Sequence, residues 1–467
     1  MNSPPVRQAI RTGAVLAALA FTLHAADWSR FRGPNGSGVA GDTGYPTDFG
    51  PDRNVVWKTE LPPGLSSPVI SERHVFLTGL DGELLATFCL DRATGKILWR
   101  RHVERDRAEK LHKLNHPASA SAVADGRNVF VFFPDFGLVS YTDDGAERWR
   151  VALGPFDNTY GMGASPVLAG GLVVLVCDQN RGSFIAAWDR DTGKPRWRVA
   201  RPDALSGHST PIVYRDWILA PGSYQMEAYE VQTGRVVWTA QGLPGELKSV
   251  PVIDGNLVYI HGYNTPENDP GRLIAIPPFA KVLKSHDKDG NGEISRQEAP
   301  TPHVARYFVF LDVDRNGGLN ANEWANYART MQAENALLAF RIGGGLEWKF
   351  QRSIPQLPSP LVYQGIVYLI NEGGILTTLD AKTGKLHKQA RLRGESDRYY
   401  ASPVAADGRV FIASHTGVVT VLGAGPDQET IAVNPLDEET LATPALAGGR
   451  IYLRTRSRLY CFGHGSL

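Results

Sequence analysis

Cysteine is scarce: Cys89, Cys177 and Cys461 are the only three in 467 residues. An odd number, widely scattered, excludes a disulfide framework, so stability must come from packing. A surplus of either charge is also missing, with 49 Lys and Arg against 48 Asp and Glu and a net charge of +1. That balance offers no electrostatic footprint for nucleic acid or an anionic membrane. Neither a nucleophile elbow nor zinc-ligand spacing is present, which removes two common hydrolytic templates. The one hydrophobic run, Arg7 to Leu23, is too short to span a bilayer stably. Two arginines precede TGAVLAALAFTL, and the small residues Ala25 and Ala26 follow it. Residues 1–25 are therefore expected to be a secretory signal peptide, placing the mature chain in the periplasm or outside the cell. Cleavage there removes Arg7 and Arg11, taking the charge from +1 to −1, and no cysteine stands near the site for lipid attachment.

What is abundant is turn chemistry, with 49 glycines and 31 prolines. The stretch Ser66 to Arg100 reads as four short strands: SPVI, HVFLTG, ELLATFCLD and ILWR. Asp81-Gly82 and Thr94-Gly95 supply the positive-φ residues that tight hairpins require. A single four-stranded sheet cannot bury both its faces, so the unit has to recur. Its opening step, Ser/Thr-Pro-apolar, does so. Pro68, Ala122, Pro166, Pro211, Pro251, Pro360, Pro403 and Pro444 mark eight starts, spaced by 54, 44, 45, 40, 109, 43 and 41 residues. Small-apolar-acidic triplets such as Cys89-Leu90-Asp91 and Ala187-Trp188-Asp189 mark the third strand. Trp99, Trp149, Trp197, Trp238 and Trp348 close five units, whereas units six and seven carry Lys388 and the region of Thr430 instead. Cys89 and Cys461 share one position in neighbouring units, which leaves a bridge conceivable, although unpaired cysteines more usually serve as small buried hydrophobes.

The last unit ends without a fourth strand, and Asn54 to Lys58 supply one from the other end of the chain. The predicted fold is all-β: an eight-bladed β-propeller whose N-terminal strand closes blade eight. The expected organisation has an irregular arm over 26–52, lying on the propeller surface and anchored by Trp28 and Phe31. Blades one to five fall within 53–276, with the closing strand at 53–60, and the remainder of blade five to blade eight falls within 336–463. Leu273 to Ile276 are expected to continue blade five's pairing.

The 109-residue spacing places a small α-helical insertion, 277–335, inside blade five. It carries two twelve-residue runs, DKDGNGEISRQE and DVDRNGGLNANE, that match EF-hand calcium loops. In the first, Asp287, Asp289, Asn291, Glu293, Ser295 and Glu298 occupy positions 1, 3, 5, 7, 9 and 12. In the second these are Asp312, Asp314, Asn316, Gly318, Asn320 and Glu323. Calcium takes six to eight oxygens, and this pattern supplies them, with a bidentate Glu at the end and a turning glycine at position 6. Two bound calcium ions are expected. Elsewhere, His116, Asp178, His208 and Arg398 stand near the ends of blade strands and could ring the mouth of the central channel. The blander alternative for each is a hydrogen-bonded structural residue.

The AxD-xxTGK-xxW repeats resemble the pyrroloquinoline-quinone-like β-propeller repeat superfamily. That group includes quinoprotein dehydrogenases and the outer-membrane-protein assembly lipoprotein of Gram-negative bacteria. DWSRFRGPNGSG, NHPASAS, GMGASPVL and HSTP are similar to segments of a large set of secreted propellers from environmental bacteria. The resemblance implies a propeller over nearly all of 27–462, and the insertion resembles short bacterial calcium-binding pairs. The dehydrogenases carry adjacent cysteines against their quinone, and no Cys-Cys occurs here. Their calcium lies beside the quinone, whereas these calcium loops lie in an excursion. No position is assigned as a catalytic base, and the lipoprotein's lipidated cysteine is missing. The expected function is a secreted calcium-binding scaffold docking a protein, peptide or glycan on its loop face. The alternative is a pyrroloquinoline-quinone-dependent oxidoreductase of alcohols or sugars, with that cofactor disfavoured.

Overall fold

The chain is built on one repeated turn. In Asp91 to Lys96, the Asp91 carboxylate accepts from the Thr94 amide at 2.8 Å and the Thr94 hydroxyl at 2.7 Å. Gly95 follows at φ 72°, in the left-handed region. The same clamp recurs at Asp189–Thr192 and Asp380–Thr383. Each turn joins the third strand of a sheet to its fourth. In the computed structural model, which describes residues 28–392 and 397–465, these strands assemble into eight four-stranded antiparallel sheets, the blades of a propeller. Blade one comprises Val69–Ile70, His74–Asp81, Leu84–Asp91 and Ile97–Val103. Blade eight is completed from the N-terminus: Val55–Glu60 pairs with Arg458–Phe462, setting Trp57 opposite Cys461. The signal-peptide expectation lies outside the described residues.

Two sets of contacts hold neighbouring blades together. On the outside, each fourth-strand tryptophan lays its indole on the turn of the next blade. The indole N–H of Trp57 donates to the Arg92 carbonyl, that of Trp99 to Asp143, that of Trp149 to Arg190 and that of Trp197 to Val231. Trp238 and Trp348 do the same on Gly344 and Ala381. The turn glycine makes room for the ring: a Cβ on Gly95 would fall 2.4 Å from Trp57, and one on Gly193 2.7 Å from Trp149. In blade six Lys388 takes over, donating to the Asp427 carbonyl at 2.6 Å.

Around the channel, the Ser/Thr of each opening step accepts from the equivalent backbone N–H of the preceding blade. The links run Ser67 to Ser121, Ser121 to Ser165 and Ser165 to Thr210, at 2.9, 3.0 and 2.9 Å. They resume from Val250 to Ser359, Ser359 to Ser402, Ser402 to Thr443 and Thr443 back to Ser67, at 2.9, 2.9, 3.1 and 2.9 Å. One link is missing, because Val250 has no hydroxyl to offer Thr210; there Ser209 donates to the Ser249 carbonyl at 2.6 Å instead. The three cysteines are free and buried, so no bridge joins Cys89 to Cys461.

Two expectations need correction. The N-terminal arm does not merely lie on the surface: it crosses the propeller axis on the face of the first-to-second-strand turns. Asn35 caps Val213 in blade four, Val39 bridges Ala405 in blade seven, and Asp42 accepts from Gly448 in blade eight. Arg30 and Arg32, both buried, reach carbonyls of Pro211 and Pro360 on opening strands. Trp28 is buried as an anchor, and Phe31, half-buried, packs against the core around Ile212 and Val250 while also lining the channel. The arm is drawn in because the opening strands are edge strands of their sheets, and its amides and guanidiniums satisfy the carbonyls of Pro211, Val213, Pro360 and Ala405 along them. Secondly, Leu273 to Ile276 form no strand. Blade five's second strand, Leu257–Gly262, pairs directly with Ala336–Arg341, so the whole of 263–335 is excursion.

That excursion holds three helices, α1 (Phe279–His286), α2 (Pro302–Leu311) and α3 (Ala321–Gln332). They bury a small core of their own, including Ile294, Phe308, Leu319 and Trp324. Among the described residues these are the only α-helices, and none is long and apolar enough to cross a membrane.

Trp99→Ala should cost about 3–5 kcal/mol, as large-to-small core substitutions do, read as a lower midpoint in denaturant. A variant unfolding like the parent would remove the indole from the account of blade docking. Deleting residues 28–60 opens blade eight and the channel floor together, and the expected result is aggregation or a sharply lowered melting temperature. A soluble deletion melting with the parent would refute closure by this strand.

Candidate functional site

The segments leading into each opening strand converge on the face opposite the arm. They enclose a funnel of about 950 Å³, with Phe31 of the arm among its lining and the hydroxyl ring, Ser67, Ser121, Ser165, Ser359, Ser402 and Thr443, around its lower wall. Its rim carries Lys113, Lys248, Arg391 and Arg398 against Glu246, Glu372 and Asp397, with Tyr160, Tyr400 and His208 between them. A wet, mixed-charge cup with aromatic edges suits a polar ligand or a protruding peptide better than an apolar molecule.

Of the four residues singled out for the mouth, the structure brings two to the funnel, His208 and Arg398. His208 packs against Tyr160 with ring centroids 5.9 Å apart, and its Nε2 is sealed from solvent without a protein partner. Burial, reinforced by Lys248, holds its pKa down at about 3. Asp178 is structural instead: Arg201 grips it in two parallel contacts of 2.8 and 3.1 Å, and both side chains are buried. His116 turns into its own loop, its Nδ1 accepting from the Ala118 amide at 3.1 Å. Sequence reasoning missed Tyr160, Lys248, Glu372 and Arg391 as rim residues. The available signal was position for two of them: Tyr160 and Lys248 stand a few residues before the opening steps Ser165-Pro166 and Val250-Pro251, where the blade connections must face the funnel.

Tyr160 is the node of this rim. Its carbonyl accepts from the His112 amide at 3.1 Å and from the Asn115 side chain at 2.9 Å. Lys248 lies 5.6 Å from its ring centre, and the Phe310 ring of α2 stacks on it at 6.3 Å. Beside the funnel, the two acidic loops pair through Ile294 and Leu319 in a two-residue ladder. Carboxylate oxygens of Asp287, Asp289 and Glu298 come within 4.8 Å of one another, as do those of Asp312, Asp314 and Glu323. The two closing glutamates differ. Glu298 accepts from the Ser295 and Lys288 amides, which hold its pKa down to about 2, whereas burial raises that of Glu323.

Among the described residues the funnel gathers no cluster of three carboxylates of the kind that would hold the calcium beside the quinone that the resemblance implies. The funnel's carboxylates are engaged separately: Glu246 by Lys248, Glu372 by the Gln356 and Leu357 amides, and Asp397 by Thr416. Among the described residues both three-acid clusters lie in the excursion, and the cysteines are buried in blades one, three and eight.

Acid should destabilise the fold through buried histidines. Burial keeps His116 and His261 near 4 and His208 near 3, against about 6.5 in an unfolded chain. Between pH 6.5 and 4 the unfolded chain therefore binds more protons, and stability falls as pH falls through that window. Thermal melts from pH 7.5 to 4.5 should show this loss, made shallower by His208→Gln. An identical slope in the variant would show that His208 does not titrate as its burial requires.

A profile of the family described as outer membrane protein assembly factor BamB matches residues 50–181, 135–326 and 185–464. The assembly factor of that name from Yersinia pestis is 22% identical over 394 residues, spanning 78% of this chain and 87% of that protein. The one from Burkholderia pseudomallei is 24% identical over 226 residues, 46% of this chain and 55% of its own length. Among solved structures, BamB from Moraxella catarrhalis superposes with a TM-score of 0.57 at 13% identity, covering 88% of this chain and 97% of that one. A europium-containing methanol dehydrogenase gives 0.61 at 9% identity, covering 94% and 98%. The two structures share the fold, and the chain is a PQQ-like β-propeller that belongs to the family described as outer membrane protein assembly factor BamB.

Proposed function

We propose that this protein is a calcium-binding scaffold propeller of the periplasm or cell exterior, docking a segment of a protein partner in its funnel. The observation that carries the calcium reading is the convergence of Asp287, Asp289 and Glu298, and of Asp312, Asp314 and Glu323, each set within 4.8 Å. Three carboxylates that close repel one another unless a cation lies between them. The remaining oxygens would come from Asn291, Asn316, Ser295 and Asn320 and from the backbone carbonyls of Glu293 and Gly318. Docking of a protein is favoured by the family, whose described members are assembly factors, and by a rim of paired charges and aromatics around a recess floored by the arm. A glycan would use the same hydroxyls and aromatic edges. No catalytic step is assigned to the funnel residues.

Calorimetric titration of the full chain with calcium should report two sites. Glu298→Gln and Glu323→Gln should each abolish one and leave the other. The propeller melt should move little in chelator, because its core and closed ladders are separate from the insertion's core. No binding at millimolar calcium, or collapse of the β-sheet signal in chelator, would refute the reading. Incubation with pyrroloquinoline quinone should yield no dye-linked oxidation of alcohols or sugars. Turnover in that assay would favour the oxidoreductase alternative.

A further inference from the structure

The second acidic loop is wired to the funnel. Phe310, which stacks on the rim residue Tyr160, stands two residues before Asp312, the first carboxylate of that loop. From within the loop, Arg315 extends to an ion pair with Asp157, three residues before Tyr160 in the connection that opens blade three. Asp157 is itself fixed to the propeller, because its amide donates to the Gln179 side chain at 2.8 Å and its carbonyl accepts from the Asn180 amide at 2.7 Å. The helix leaving the loop is tied down as well. In α3, Arg329 pairs with Asp203 at 2.9 Å and lies 4.0 Å from the Tyr224 ring centre, while the Tyr224 hydroxyl meets Thr330 at 2.7 Å. The first acidic loop shows no comparable tie to the blade-three connection among the described residues.

We infer that calcium in the loop Asp312–Glu323 sets the position of Tyr160, and through it the shape of the funnel rim, so that docking in the funnel depends on calcium at this second site. The inference rests on the calcium reading above and extends it to regulation of the docking site. Each contact alone is weak: a half-exposed ion pair contributes about 0–1 kcal/mol, and one aromatic pair about 0.5–1.5 kcal/mol. Their leverage is geometric. Both ends of the contact surface, Phe310 before the loop and Arg315 inside it, move with loop closure. Without a cation, the carboxylates of Asp312, Asp314 and Glu323, whose oxygens converge within 4.8 Å, repel one another, and the loop has reason to open. Tyr160 then loses its backing on the outer side. It in turn holds His112 and Asn115 of the preceding connection and packs against His208 and Lys248, so the disturbance spreads over the rim.

Hydrogen–deuterium exchange on the full-length protein tests this without knowledge of the partner, with calcium chloride as the probe and chelator as the reference. Segments 104–116 and 156–163 should exchange about tenfold more slowly with calcium, a local opening equilibrium shifted by binding. Glu298→Gln should keep that protection and Glu323→Gln should lose it. Phe310→Ala combined with Arg315→Ala should retain both calorimetric sites yet lose the protection of 156–163. Two sites by calorimetry with unchanged exchange at 156–163 would overturn the coupling alone. Protection that survives in the double variant would overturn the assigned route. Absence of any calcium binding would overturn the calcium reading and this inference with it.

Discussion

Within the ring each four-stranded sheet packs against the sheets on either side of it, so the whole ring depends on how one blade registers on the next. Two contacts at different radii set that register. Near the axis a Ser or Thr hydroxyl accepts the neighbour's backbone N–H, and at the periphery an indole lies on the neighbour's glycine turn. Two fixed points at different radii define the angle between sheets as well as their spacing. A closed ring has no free parameter left once that angle recurs eight times. Closure by Val55–Glu60 follows from the same logic, because an open seam would expose two sheet edges and leave one tryptophan without its turn.

With assembly assigned to the inner ring and the outer turns, the connections on the funnel face are free to carry other chemistry. The rim mixes charges, aromatics and a histidine without a repeating pattern, although every blade opens in nearly the same way. The arm makes the funnel one-sided. By satisfying carbonyls of opening strands with Arg30, Arg32 and its own amides, it turns a through-channel into a cup with an apolar residue, Phe31, in its lining. A cup suits the capture of a protruding segment, whereas a channel suits passage.

The insertion leaves the propeller where a ladder can best tolerate it, at a hairpin between the second and third strands of blade five. Leu257–Gly262 and Ala336–Arg341 pair as though the intervening residues were a short turn. Having its own core, the insertion need not share the fate of the propeller, and its contacts with blades three and four are polar or aromatic surface contacts. A module with its own core leaning on the rim is suited to transmit its own ordering without destabilising the scaffold.

How much of this was legible beforehand depended on whether the information was local. Turn glycines, the opening Ser/Thr-Pro step and the fourth-strand tryptophans are short-range patterns repeated along the chain, so eight blades, their order and the site of the excursion could be read from spacing alone. The two acidic loops are equally local, since each ligand set lies within twelve residues. The reason for the opening hydroxyl was not legible, because its partner lies about 40 residues away in the neighbouring blade. Nor was the path of the arm, whose irregular sequence has no period to betray that Arg32 reaches Pro360. Asp178 and His208 look alike in sequence, as polar residues at strand ends. Only the tertiary structure shows one consumed by Arg201 and the other left with a bare nitrogen beside Tyr160. Sequence by itself determined the repeat and therefore the ring. Which side chains end up paired, and which remain free to meet a ligand, was decided by contacts between residues far apart in the chain, and no local pattern encodes those.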